Sequence, residues 1–265
     1  MRGDDGSLTI RDIVAESGLM LGAGSAVLLQ LARREVGLGV AEHSTTLDRP
    51  LDRLRTTVTY VYVMALGTPA EQAAVAAMVD RSHRGVRSPG RYSAYDPKLQ
   101  LWVAATLTRS GREIYERLLG PLHPTSAQRL HEESAVYGTA LQMPAEVWPV
   151  NVEEFDRWWE EQLDSFEPDP VVQAYVARLM APSAIPWPLR WLAPLQSLVT
   201  RGNLDPRVRR VLGLAWTARD QRRYDLFWRI AAPVYRAVPR PLRQLSPKVT
   251  LAGMRLRMRF GLRVI

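Results

Sequence analysis

Cysteine is entirely missing from this chain of 265 residues. Its absence excludes disulfides, thiolate metal sites, iron–sulfur clusters and a cysteine nucleophile, and it agrees with a reducing compartment. Histidine is scarce, with four in the whole chain. None of the four stands in an HEXXH arrangement, so zinc chemistry is disfavoured. These absences leave few side chains that can ligate a metal.

Long apolar runs and common functional motifs are also missing. The longest apolar stretch, near residues 58–67, is too short to span a bilayer and contains tyrosines. The N-terminus reads MRGDDG, with acidic residues where a signal peptide has basic ones, which predicts a cytoplasmic protein. There is no GXSXG nucleophile elbow, P-loop or zinc-finger spacing. A serine hydrolase and a nucleic-acid-binding protein are therefore disfavoured.

Positive charge, by contrast, is plentiful and unevenly placed. The net charge is +8, yet residues 201–265 alone contain sixteen Lys or Arg and three Asp. This asymmetry favours an acidic partner or an anionic membrane surface, and solvated helix faces explain it equally well. We expect residues 250–265 to form a basic C-terminal tail, with Arg255, Arg257, Arg259 and Arg263 facing anionic lipid in peripheral contact.

Apolar residues recur at helical spacing through most of the chain. Thr68-Pro69 and Asp96-Pro97 have the pattern of capped helix starts. Pro206 is expected to open a helix through Arg219, and a longer one should follow to about Arg236. Gly22 and Gly24 indicate either a turn between helices or close helix packing. No convincing strand alternation is present, so we predict one all-α domain over residues 1–265 with a flexible N-terminus at 1–10.

His83 is the most distinctive histidine, because it shares one side of a predicted helix with Val75 and Val79. A core histidine or a ligand is therefore favoured over a solvated one. On the preceding helix Arg53 and Thr57 share a face, since four residues are close to one turn; the alternative leaves Arg53 on the surface, paired with Asp48 or Asp52. The remaining histidines are expected near loops or on a helix surface: His43 before a loop, His123 in an exposed loop and His131 on a helix surface.

Three blocks in this order resemble a known family. They are LLQLARREVGLGVAEHS (28–44), DRPLDRLRTTVTYVYVMALGT (48–68) and VDRSHRGVRSPGRYSAYDPKLQLWVAATL (79–107), and the run from 212 to 247 adds to them. Their order and spacing are similar to the family of the ER-bound oxygenase MpaB of mycophenolic acid biosynthesis and the bacterial rubber oxygenase, or latex clearing protein. The similarity covers most of the chain.

The resemblance implies an all-α fold that encloses an apolar haem pocket. Characterised members bind haem b and use dioxygen to cleave carbon–carbon double bonds of isoprenoids. By this alignment His83 is the axial ligand of the haem iron, and Arg53 with Thr57 is the family's Arg-x3-Thr pair. We expect this pair to be catalytic as well as cofactor-binding, with Thr57 donating a hydrogen bond at the haem edge or to bound oxygen. Arg53, with Arg84 or Arg87, would anchor the haem propionates. The expected walls of the substrate cavity are Tyr60, Met64, Trp102 and Leu107.

The chain departs from the family pattern at several positions. Thr56 stands where rubber oxygenase has a lysine that can occupy the distal iron position. Arg33 and Arg34 replace a His-Pro pair of many relatives, and Ala104 replaces a histidine. These changes keep two alternatives open beside a haem-dependent oxygenase for an apolar substrate. One is a non-oxygenative haem enzyme, such as an isomerase, dehydratase or peroxidase-like catalyst, and the other is a cofactor-free helical protein that binds an apolar ligand.

Overall fold

The computed structural model describes residues 4–47, 49–181, 187–262 and 264. Within these ranges the chain is mostly α-helix, which confirms the predicted all-α class. The helices of the first half are α1 (Ile10–Val14), α2 (Ala23–Ala32), α3 (Arg34–His43), α4 (Pro50–Leu66), α5 (Pro69–His83), α6 (Pro97–Leu119), α7 (Pro124–Ser134) and α8 (Val136–Thr139). Those of the second half are α9 (Val152–Asp164), α10 (Pro170–Leu179), α11 (Ala193–Gly202), α12 (Pro206–Val211), α13 (Ala218–Ala237), α14 (Arg240–Arg243) and α15 (Leu245–Arg259).

Short irregular elements connect these helices. Three described segments are 3-10 helices, at Ser17–Gly22, Ala145–Val147 and Trp187–Leu192. A hairpin of two short antiparallel strands, β1 (Arg87–Ser88) and β2 (Tyr92–Ser93), links α5 to α6. The sequence did not predict this hairpin, because two-residue strands are too short to show alternation. No helix in the described part of the chain is long and apolar enough to cross a membrane.

Both helix starts that the sequence predicts from capping residues are confirmed. Thr68 accepts a hydrogen bond from the Glu71 backbone N–H (3.3 Å), and the Glu71 carboxylate accepts one from the Thr68 N–H (2.9 Å). Asp96 accepts a hydrogen bond from the Lys98 N–H at 2.8 Å. A proline follows each cap, where its missing N–H leaves no bond unmade. The capping contacts of Thr68 and Glu71 therefore fix where α5 begins, and His83 is the last residue of that helix.

Helix α6 lies at the centre of the core and packs against α2, α8 and α13. Its Trp102 is fully buried and donates a hydrogen bond to the Leu29 carbonyl (3.1 Å). The Trp102 ring stacks on Trp159 of α9, with centroids 4.9 Å apart, and meets Phe166 edge to face. Aromatic residues of α6 and α9 thus form one continuous part of the core.

Gly22 and Gly24 combine the two roles that the sequence left open. The 3-10 segment ends at Gly22 and α2 starts at the next residue, so the pair does lie at a junction. A Cβ on Gly22 would lie 2.8 Å from Ile114 of α6, and one on Gly24 would overlap Thr200 of α11. Close packing of α2 against its neighbours therefore requires both glycines.

The helix from Pro206 ends at Val211, well before the predicted Arg219, so that prediction is wrong. Gly213 adopts φ +67°, a left-handed conformation that stops the helix. Thr217 and Asp220 then form a reciprocal cap that starts α13. The stop at Gly213 and the new start at Thr217 outweigh the apolar spacing from which the longer helix was predicted.

Both chain ends are more ordered than the sequence suggested. Residues 4–9, predicted as a flexible N-terminus, are held against α7, because the Asp4 carboxylate accepts hydrogen bonds from the His123 N–H (2.8 Å) and the Ser126 hydroxyl (2.9 Å). At the other end, most of the predicted basic tail is α15, which packs against α4 and buries Leu251 and Met254. Apolar residues at helical spacing make this segment a helix despite its charge.

Candidate functional site

His83 is the last residue of α5 and continues a face that begins with the fully buried Val75. The imidazole is half-buried, and its Nδ1 is buried without a hydrogen-bond partner. Among the described residues the ring makes no hydrogen bond or ion pair at either nitrogen. Burial, and then the nearby charge of Arg53, lower the pKa of His83. The ring is therefore neutral near pH 7, the form in which imidazole ligates a metal.

Arg53 lies in the first turns of α4 and has no ion partner in the described part of the chain. Its side chain is open to solvent, yet enough protein surrounds it that desolvation lowers its pKa. The predicted surface pair with Asp52 is not formed, because Asp52 contacts Arg55 instead, at 3.5 Å. Asp48, the other suggested partner, lies outside the described residues.

Tyr175 of α10 is a further candidate that was not predicted from the sequence. Its side chain is buried and its hydroxyl has no hydrogen-bond partner among the described residues. The Tyr175 hydroxyl lies close enough to Arg53 to raise the pKa of the guanidinium, an effect smaller than the opposing desolvation. The available signal was a tyrosine on the buried face of α10, beside Val172 and Val176.

Three helices supply polar groups that have no partner among the described residues. They are the His83 imidazole from α5, the Arg53 guanidinium from α4 and the Tyr175 hydroxyl from α10, and Arg53 lies within electrostatic range of the other two. Buried polar groups in native proteins nearly always have partners, so the His83 and Tyr175 atoms indicate a missing ligand or water. An imidazole, a guanidinium and a hydroxyl are groups that could hold a haem, the imidazole at its iron and the guanidinium at a propionate.

Thr57 shares the α4 face with Arg53, as predicted, but its hydroxyl is already engaged. The Oγ1 donates a hydrogen bond to the Arg53 backbone carbonyl at 3.1 Å. Thr56 does the same one residue earlier, to the Asp52 carbonyl at 2.8 Å. While its bond persists, Thr57 can offer a ligand only an acceptor lone pair. The predicted donation from Thr57 to a haem edge or to bound oxygen therefore needs a different rotamer.

Arg84 and Arg87 lie differently from Arg53. Arg84 is exposed and pairs with Asp80 at 3.4 Å, and the same carboxylate accepts hydrogen bonds from Tyr95 (3.1 Å) and Gln142 (2.7 Å). Arg87 is an exposed residue of β1. In the described residues no hydrogen bond or ion pair joins either arginine to Arg53 or His83. Their role as propionate anchors remains a prediction.

Three of the four predicted cavity walls are core residues. Tyr60, Met64 and Trp102 are buried, and the Tyr60 hydroxyl donates to the Tyr137 carbonyl at 2.8 Å. Leu107 is half-buried. These residues pack as a closed core. That they line a substrate cavity remains a prediction.

The positions that depart from the family pattern have structural partners. Arg33 hydrogen-bonds Glu35 (3.1 Å) and Gln162 (2.8 Å). Arg34 pairs with Asp169, the N-cap of α10, at 2.8 Å. The two arginines thus hold the start of α3 against α9 and α10. Ala104 is fully buried in α6.

The other histidines have structural roles. The prediction that His131 lies on a helix surface is wrong: it is 3% exposed, donates to the Pro149 carbonyl (2.7 Å) and stacks on Trp148. His43 ends α3 before a loop and hydrogen-bonds the Tyr92 hydroxyl at 3.1 Å. His123 is exposed, as predicted, and also caps α7 through Nδ1, which accepts from the Thr125 N–H.

Comparison with known proteins identifies the family of the chain. Residues 10–237 match the family described as the ER-bound oxygenase mpaB/B'/rubber oxygenase catalytic domain. The chain is also 35% identical over 255 residues to two proteins named as uncharacterized, Rv2237 of Mycobacterium tuberculosis and Mb2261 of Mycobacterium bovis, covering 93% of this chain and 100% of each relative. No solved structure matches the chain. The chain therefore belongs to the mpaB/rubber oxygenase family.

Proposed function

We propose that this protein is a haem-b-dependent oxygenase that uses dioxygen to oxidise an apolar, isoprenoid-like, polyketide-like or other lipid-like substrate. Its family is an oxygenase family, and one observation in the structure supports haem in particular. The His83 imidazole has a lowered pKa and no hydrogen-bond partner among the described residues, and Arg53, which has no ion partner among them, lies within electrostatic range of it. A bound porphyrin would use the imidazole for its iron and the guanidinium for a propionate.

Each residue of the site has a definite task under this proposal. His83 would hold the haem iron through a ring nitrogen. Arg53 would neutralise a propionate, because an unpaired buried carboxylate is very costly in free energy. Tyr175 donates its hydroxyl proton to the cofactor or to a polar atom of the substrate. Haem b itself would supply the redox chemistry that dioxygen activation requires.

The overall reaction can be balanced without a further reactant. Cleavage of one carbon–carbon double bond by one dioxygen breaks the C=C and O–O bonds and gives two carbonyl groups, each with one oxygen atom. The four electrons gained by oxygen come from the double bond, so no external reductant is consumed. Turnover is therefore expected in buffer without NADH or a ferredoxin.

The test is to purify the full chain from haem-supplemented cells and measure haem by the pyridine haemochrome method. We expect about one haem b per chain with a Soret band, and loss of most haem in His83→Ala. His123→Ala is the matched control, since His123 is exposed and far in sequence from the site; it should keep its haem. Oxygen electrode traces with squalene or a short polyisoprene then test oxygenation.

Each alternative predicts a different result. A wild-type protein that carries haem but consumes no dioxygen with any apolar alkene would favour an isomerase, dehydratase or peroxidase-like haem enzyme. A wild-type protein that does not take up haem would favour a cofactor-free binding protein for an apolar ligand. Full haem content in His83→Ala would remove this histidine from the role.

A further inference from the structure

Helix α15 has two apolar faces, and the described part of the chain covers only one of them. The inner face buries Pro247, Leu251 and Met254, and α15 packs there against α4. The outer face carries four large apolar side chains that are each more than half exposed: Leu245 (53%), Val249 (62%), Leu256 (56%) and Phe260 (65%). Their separations of four, seven and four residues place them in one stripe.

This outer stripe is held firmly in place. The Ser246 N–H donates to the Ser17 hydroxyl at 3.0 Å, and the Ser246 hydroxyl contacts the Tyr62 hydroxyl at 3.1 Å. Further along the helix, Arg255 pairs with Glu71 of α5. Contacts at both ends of α15 thus fix which face points outward. The apolar exposure is a property of the packed fold and not of a loose terminus.

The charge around the stripe has one sign. Residues 226–265 contain nine Lys or Arg and no Asp or Glu. Lys248 and Arg259 are exposed and flank the stripe by their positions on the helix. The surface therefore combines an aliphatic centre with a basic edge, and any partner must offer an apolar layer beside negative charge.

A second exposed stripe lies on α13, which directly precedes α14 and α15. Leu226, Ile230 and Val234 are 51%, 55% and 60% exposed and are spaced four residues apart. Arg222, Arg223 and Arg229 are exposed on the same helix. The pattern of apolar centre and basic edge therefore occurs twice in the C-terminal part of the chain.

We propose that the outer face of α15 docks on an anionic lipid bilayer. A bilayer offers an acyl layer directly beneath a negatively charged headgroup layer, which is the order that an aliphatic stripe with basic edges requires. Lysine and arginine stems extend along apolar surface while their charged ends reach the headgroups. The contact surface is the packed helix; Arg255, which the sequence assigned to a lipid-binding tail, is instead committed to Glu71.

Docking through α15 would also place the membrane near the candidate site. The helix packs on α4, which carries Arg53 and Thr57. An apolar substrate dissolves in bilayers, so docking through α15 would bring the substrate's source next to the site-bearing helix. This last step rests on the proposed function, whereas the docking itself does not.

Flotation of the purified full chain with vesicles tests the docking without any turnover measurement. With vesicles of phosphatidylglycerol and phosphatidylcholine in low salt we expect the protein to float. Replacing Leu245, Val249, Leu256 and Phe260 together by serine should weaken binding at least about tenfold, since each buried methylene contributes to the partition. Lys248→Gln should weaken it about fivefold. Pure phosphatidylcholine and high salt should weaken it as well.

Matched controls are available for each change. Val150→Ser with Val171→Ser alters two exposed valines elsewhere (76% and 52%), and Lys98→Gln alters the only other lysine of the chain, which is also exposed. Neither should affect flotation. Because the chain has no cysteine, a fluorophore on Ala252→Cys, at the outer face, should shift to the blue on vesicle addition, and one on Val150→Cys should not.

Two results would overturn the proposal. One is equal flotation of the four-serine variant and the parent, at unchanged helix content by circular dichroism. The other is absence of vesicle binding together with a dimer that the four-serine variant loses, because the stripe would then be an interface between copies. Haem content and oxygen uptake are separate readouts, so failure of the docking and failure of the proposed enzyme activity can be told apart.

Discussion

Arg255 of α15 forms a forked ion pair with Glu71 of α5, with Nε–Oε1 at 2.7 Å and Nη2–Oε2 at 3.3 Å. The same Glu71 carboxylate accepts a hydrogen bond from the Thr68 N–H at 2.9 Å. One side chain therefore caps the helix that ends at His83 and attaches the C-terminal helix to it. Arg255 holds the pKa of Glu71 below its usual range.

Glu71→Ala is expected to lower the free energy of unfolding by about 1–2 kcal/mol, because it removes half of a capping box and an ion pair. Arg255→Ala should cost less, about 0–1 kcal/mol, since the cap remains. Glu153→Ala is the control: Glu153 is 87% exposed and contacts Arg157 only at 3.7 Å. Urea unfolding measures all three. Equal costs for Glu71→Ala and Arg255→Ala would mean that the cap contributes nothing.

His131 gives the protein a pH-dependent stability with a definite sign. The ring donates from Nε2 to the Pro149 carbonyl, and its Nδ1 is buried without a partner. Burial lowers the pKa of His131 from its ordinary value of 6.5. As the pH falls below the unfolded value, the unfolded chain binds a proton that the native chain does not. Stability is therefore full above pH 6.5 and declines as the pH falls towards the lowered native pKa.

The contribution of His131 can be isolated by comparing how steeply the free energy of unfolding changes with pH in the parent and in variants. Between pH 7.5 and 5.5 the parent should lose stability by up to about 1.4 kcal/mol per pH unit from this group, and His131→Gln should show a shallower slope. His123→Gln, at an exposed histidine, should keep the parent slope. Some slope remains in His131→Gln, because the pKa of His83 is lowered too. Parallel slopes for parent and His131→Gln would contradict the assignment.

Helix starts were predictable here because their signals are local. Thr68 with Glu71 and Asp96 with Lys98 lie within one turn of each other, so the residues that make the contacts are adjacent in the sequence. The face of α5 was predictable for the same reason, since Val75, Val79 and His83 follow one another at intervals of four residues, close to one turn each. Such contacts need no knowledge of the remaining fold.

What could not be predicted depends on contacts between distant segments. His131 has two glutamates beside it, which suggested a solvent-facing side, yet Trp148 from the segment before α9 covers its ring. Tyr175 comes within electrostatic range of Arg53 only in the fold, where α10 packs on α2 and α3, and 121 residues lie between the two in the chain. No local pattern in α10 names Arg53 as the neighbour of Tyr175.

Arg53→Ala separates a role in the site from a structural role. No described residue pairs with Arg53, so the free energy of unfolding of the haem-free protein should change by less than about 0.5 kcal/mol. Haem retention should fall, or the Soret band should shift, because a propionate loses its counter-charge. Arg178→Ala, at an exposed arginine of α10, should alter neither. An unchanged spectrum and turnover in Arg53→Ala would reject the assignment.

Tyr175→Phe should have opposite effects on stability and on ligand binding. The Tyr175 hydroxyl is buried without a partner among the described residues, so in protein purified without haem its removal should be neutral or stabilising by up to about 1 kcal/mol. Tyr60→Phe is the matched control, since the Tyr60 hydroxyl is buried but donates to the Tyr137 carbonyl at 2.8 Å; its removal should cost about 1 kcal/mol. With haem added, Tyr175→Phe should bind the cofactor or the substrate more weakly, and Tyr60→Phe should bind them as the parent does.

Urea unfolding of the haem-free proteins and haem titration followed at the Soret band give the two readouts. A Tyr175→Phe variant that is destabilised as much as Tyr60→Phe would show that the hydroxyl serves the fold, and one that is neutral in both measurements would place Tyr175 outside the site.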